Sequence, residues 1–68
     1  MKRYFKNCKT ESDVINAIVE KVKDYNLRYK EILELVATTY AIFHAPIPNS
    51  VITGTRDDFW KKVKAELF

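Results

Sequence analysis

Apolar side chains recur along the chain at Val14, Ile18, Val22, Tyr25, Tyr29, Ile32, Val36, Tyr40 and Phe43. Every interval is three or four residues, the repeat of one face of an α-helix, and the alternation by two that a strand requires is absent. The stretch that carries this stripe, residues 11–45, contains neither Gly nor Pro. A second apolar face follows at Phe59, Trp60, Val63 and Leu67. The pattern predicts a single all-α domain over residues 1–68. Its parts are an arm (1–9), helices over 11–24, 27–44 and 56–67, and a Pro-containing connector (45–55).

Local signals set the helix ends. Thr10 stands three residues before Asp13, so hydroxyl and carboxylate can each accept the other residue's amide in a short capping box. Glu11 and Asp13 also place negative charge at the positive end of the first helix dipole. Thr55 and Asp58 repeat the arrangement ahead of the third helix, where Asp57–Lys61 and Asp58–Lys62 have the spacing of i,i+4 ion pairs. Pro46 and Pro48 stop the second helix, because proline lacks the amide donor and restricts the residue before it. Gly54, the only glycine, marks a turn, and Val51 and Ile52 are apolar enough to tuck beneath the connector.

Asn26 decides the architecture. It tolerates the left-handed conformation that ends helices, yet the apolar stripe passes through it without losing phase. A turn there gives an antiparallel helical hairpin to which the C-terminal helix adds. No turn gives one long central helix of about 50 Å at 1.5 Å per residue, which would have to pair in a dimer. After Glu34 no charged residue appears until Arg56. A helix apolar on nearly every side is expected to be covered on nearly every side, by its own chain or by a partner.

Size sharpens that expectation. A domain of 68 residues has a small core, and such domains commonly rely on a disulfide, a metal or a partner. Cys8 is the only cysteine, so no internal disulfide can form. It reads as a half-buried apolar residue whose pKa Lys6 and Lys9 could lower. One cysteine and one histidine (His44) cannot build a closed zinc site, and no calcium-loop run of carboxylates is present. A partner remains, and a homodimer is the first expectation. His44 is expected to cap the last carbonyls of the second helix.

The 12 Lys and Arg outnumber the 9 acids, but the excess is local. Lys2, Arg3, Lys6 and Lys9 lie in the arm with no acid among them, together with Tyr4 and Phe5. These rings either fold back on the helices or stack on a bound nucleic acid. The acids of the body alternate with lysines on solvent-facing helical positions. They form no evident acid–base pair, and a single Gly, His and Cys exclude a phosphate loop and the familiar nucleophile–histidine arrangements. No enzyme, cofactor or metal is expected.

The run from Tyr4 to Thr10 ahead of an amphipathic helix resembles the start of some short J-domain proteins. The His-Pro-Asp tripeptide on which those proteins act is absent, and the resemblance implies no shared function. No apolar segment suits a signal or a membrane span, and a lone cysteine fits a reducing compartment, so a cytoplasmic protein is expected.

The function expected is that of a small non-catalytic helical interaction module, a regulator or inhibitor that binds a protein partner. Its candidate contact residues are Phe59, Trp60, Tyr40 and Phe43. The alternative is a nucleic-acid-binding regulator using Lys2, Arg3, Lys6 and Lys9, or a divergent helix-turn-helix with residues 56–67 as the recognition helix. Asp57 and Asp58 at its leading end would repel phosphates.

Overall fold

The computed structural model describes residues 4–44 and 51–68. Three helices make up the fold: α1 (Glu11–Tyr25), α2 (Tyr29–Phe43) and α3 (Arg56–Leu67), with no strand among the described residues. α3 packs against both α1 and α2. Lys2, Arg3, Pro46 and Pro48, to which the sequence assigns nucleic-acid contact and helix termination, lie outside the described residues.

The break falls at Asn26, so the single long helix does not form. Asn26 adopts φ 50° and ψ 51°, the left-handed region, and is the one non-glycine residue with positive φ among those described. Its amide and that of Leu27 both donate to the Val22 carbonyl, satisfying a group that the end of the helix would otherwise orphan. Leu27 and Val22 are each partly buried against the core. The second helix starts two residues later than the apolar pattern suggests. Arg28 is its N-cap, and the Arg28 amide donates to Glu31 Oε1 at 3.0 Å.

At α1 the reciprocal capping box is complete: Asp13 N donates to Thr10 Oγ at 3.2 Å, and Thr10 N donates to Asp13 Oδ2 at 3.2 Å. At α3 Thr55 accepts from Asp58 N at 3.2 Å, which is the hydroxyl half of the motif. Lys62 does not simply serve its own helix. Its ammonium reaches Glu11 Oε1 at 2.9 Å and joins α3 to the first turn of α1. Lys62 is 58% exposed and Glu11 21%, so solvent still screens the pair, and surface pairs contribute ~0–1 kcal/mol.

The core collects Val14, Ile15 and Ile18 from α1, Ile32 and Val36 from α2, Phe59 and Val63 from α3, and Ile52 from the approach to α3. Full burial of one such side chain contributes about 1.5–3 kcal/mol. Ile52 is as deeply buried as Phe59, and its amide lies 3.4 Å from the Phe43 carbonyl. No buried side-chain nitrogen or oxygen among the described residues lacks a partner.

Two expectations about the apolar stripe need correction. Tyr25 and Tyr29 belong to it by spacing, yet they are 61% and 57% exposed, because each stands at the helix end beside the Asn26 turn. Its own chain does not cover the second half of α2 on every side. Val36 and Thr39 are buried and Leu35, Tyr40 and Phe43 partly so, but Ile42 is 67% exposed. One chain therefore shelters most of this ribbon by itself, with Phe5, Ile52 and α3 doing the covering.

Candidate functional site

α2 and α3 run in opposite directions, and their contacts at the two ends differ in kind. At one end Tyr40, Phe59, His44 and Gly54 meet in a closed arrangement. The Tyr40 ring lies 6.2 Å from Phe59 and stacks on His44 at 4.5 Å with the planes 15° apart. Its hydroxyl donates to the Gly54 carbonyl at 2.8 Å. His44 Nδ1 lies 3.0 Å from the Ile52 carbonyl; since a carbonyl only accepts, Nδ1 carries the proton. His44 therefore fastens the segment leading into α3 rather than capping the last carbonyls of α2.

Towards the other end, Tyr29 from the first turn of α2 meets Trp60 from the second turn of α3 and Phe68 at the C-cap of α3. Tyr29 meets Trp60 edge-on at 6.0 Å between centroids and Phe68 at 6.1 Å. The Lys64 ammonium sits 5.9 Å from the Trp60 centroid, a cation–π contact worth ~0.5–1 kcal/mol where exposed. Trp60 is half-buried, whereas Tyr29 and Phe68 (73% exposed) face outward, and Leu33, one turn beyond Tyr29 on the same side of α2, is also exposed. Large rings gathered at the surface with their apolar faces still wet are a usual mark of a contact site.

Of the four contact residues expected from the sequence, the structure brings only Trp60 into this cluster. Phe59 is core at 1% exposure. Tyr40 is committed to Gly54 and His44, and Phe43 packs against Phe5 at 6.0 Å. Tyr29 and Phe68 were not singled out by spacing. Spacing treats Tyr29 as one more member of the core stripe, and only the turn at Asn26 turns its ring outward.

The arm folds back along α1. Tyr4 donates its hydroxyl to Asp24 Oδ2 at 2.8 Å and lies edge-on to Tyr25 at 6.3 Å, while Phe5 meets Phe43. Lys6 and Lys9 stay exposed. Between arm and helix is a hollow of about 230 Å³ lined by Tyr4, Cys8, Asp13, Asn16 and Glu20 among others. The Cys8 thiol lies 3.7 Å from the Tyr4 carbonyl. Burial first, and then the negative charge of Asp13, push its pKa above the ordinary 9.0, so the lowering expected from Lys6 and Lys9 does not occur. Asp13 moves the other way. The Lys9 amide is the largest influence and holds its carboxyl below the usual 3.8; desolvation opposes it, and the amide and hydroxyl of Thr10 and the charge of Lys9 add to the lowering.

Among the described residues no group of three or more His, Cys, Asp or Glu is placed to hold a metal ion, and no helix is long and apolar enough to cross a membrane. No protein-family model, curated protein or solved structure matches the chain.

Proposed function

We propose that this protein is a small non-catalytic interaction module that regulates or inhibits a protein partner by binding it at the start of α2 and the end of α3. The observation that carries the proposal is the Tyr29–Trp60–Phe68 cluster, in which two of the three rings remain more than half exposed. Burying such rings on a partner supplies the apolar contact area on which interface hot spots depend. A second copy of the chain is one candidate partner, and exposed Ile42 adds apolar surface at the far end of α2. A cytoplasmic location suits the lone free thiol of Cys8.

The nucleic-acid alternative has less support. Tyr4 and Phe5, the rings expected to stack on bases, are engaged with Asp24, Tyr25 and Phe43. Lys6 and Lys9 remain as exposed charges without accompanying free rings.

The test is capture from native cells with the wild-type chain and with a Tyr29→Ser/Phe68→Ser variant, together with light scattering across concentration. The proposal requires a protein, or a second copy, that binds the wild type and is lost with the variant. Capture that survives the double substitution, or a lone monomer that captures only nucleic acid, overturns it.

A further inference from the structure

Side chains fasten the N-terminal arm to the helices. The Tyr4 hydroxyl donates to Asp24 Oδ2 at 2.8 Å, and the Tyr4 ring lies edge-on to Tyr25 at 6.3 Å. Phe5 meets Phe43 of α2 at 6.0 Å and packs against the edge of the core. These anchors are shallow. The Tyr4–Asp24 bond is open to water, and no side chain from residue 4 to residue 9 is fully buried.

The arm is also a unit in itself. Residues 4–7 form a turn, and the Cys8 thiol lies 3.7 Å from the Tyr4 carbonyl across it. Its base is fixed separately: the Lys9 and Thr10 amides both donate to Asp13 Oδ2, at 3.1 and 3.2 Å. Between base and tip the arm stands off α1 over the hollow of about 230 Å³. Segments near a chain end with little deeply buried apolar surface open at a free energy below that of global unfolding.

We infer that the arm is a strap: residues 4–8 lift as a unit about Lys9 while α1, α2 and α3 stay folded, and the position of the strap regulates access to Phe43 and to the Cys8 thiol. Closed, it sets Phe5 over Phe43, one of the residues that the sequence marks for partner contact. Open, it adds the Phe43 ring to Ile42, its already exposed neighbour in the chain. The inference does not rest on the Tyr29–Trp60–Phe68 cluster, and either can fail without the other.

Cys8 is the only cysteine, so alkylation reports on this segment alone. The experiment follows iodoacetamide labelling of the full chain at a single pH, across urea concentrations below the unfolding transition that far-UV circular dichroism defines on the same samples. The expected result is labelling slower than that of the unfolded chain, through an opening whose dependence on urea is shallower than that of global unfolding. Tyr4→Phe removes only the bond to Asp24. It should speed labelling in native buffer about three- to tenfold, with the helical spectrum unchanged. Asp24→Asn, which keeps a neutral acceptor, should act in the same direction and more weakly.

Labelling that accelerates only in step with global unfolding, labelling at the unfolded-chain rate in native buffer, or a rate that neither substitution changes overturns the inference. If a variant fails to fold, the urea dependence of the wild type still decides.

Discussion

The Tyr40 hydroxyl donates to the Gly54 carbonyl at 2.8 Å, tying the last turn of α2 to the residue before the cap of α3. The bond joins residues fourteen positions apart in the chain. Tyr40→Phe keeps the ring against Phe59 and His44 and removes only this bond. A net hydrogen bond contributes about 0.5–1.5 kcal/mol. Urea unfolding should show a loss in that range with an unchanged slope; a loss near zero would mean that water replaces the hydroxyl fully.

Gly54 itself is not required by backbone geometry. No glycine has positive φ, and a methyl group there would meet Asp58 Cβ and Oδ2 at 3.5 Å, ordinary contact. Gly54→Ala should therefore stabilise the fold by about 0.4–1 kcal/mol by restricting the unfolded chain. Thermal unfolding checks the sign.

The left-handed turn at Asn26 makes the opposite demand. A Cβ-bearing residue without a short polar side chain pays about 1–2 kcal/mol in that conformation, and glycine does not. Asn26→Ala should destabilise by about 1 kcal/mol, while Asn26→Gly should be neutral or stabilising. Equal destabilisation by both would show that the Asn side chain, not the backbone angle, matters.

Asp13 makes the α1 cap sensitive to acid. Its carboxyl is held below the usual 3.8 by the Lys9 and Thr10 amides. A depressed carboxylate stabilises the fold fully above its unfolded pKa, and the contribution is lost as pH falls through the lower folded value. Melting temperatures of wild type and Asp13→Asn should differ at neutral pH and converge in strong acid. Thr10→Ala, which removes the hydroxyl half of the box, should cost about 1 kcal/mol.

The parts of the fold that could be read from the chain are those set by near neighbours. Thr10 and Thr55 cap because the residue three positions on supplies the amide, and the three helices follow from spacing within a few turns. The turn at Asn26 is the reading the sequence favours over a single long helix, although an unbroken stripe is compatible with a bend as well as with a straight helix. What spacing could not supply is tertiary. Lys62 finds Glu11 rather than staying within its own helix, Tyr4 finds Asp24 twenty positions away, and His44 turns to the Ile52 carbonyl. The candidate site is of this second kind. Trp60 is prominent in any sequence, but Tyr29 becomes a surface ring only because α2 begins where it does.

Cys8 shows the same effect in its chemistry. Two lysines close in sequence would favour the thiolate, yet the folded arm partly buries the sulfur against the core and sets it near Asp13, and its pKa rises. A thiol raised in the folded state adds stability that is complete below the unfolded pKa and is lost as pH climbs through the folded value. Alkylation by iodoacetamide requires the thiolate and access to it. The rate profile of the folded protein should therefore lie at higher pH than that of the urea-unfolded chain, with slower reaction at mildly alkaline pH. Cys8→Ala should remove the thiol's share of any stability decline in base. A folded-state profile at or below the pH of the unfolded one would place the lysines, not burial, in control of the sulfur.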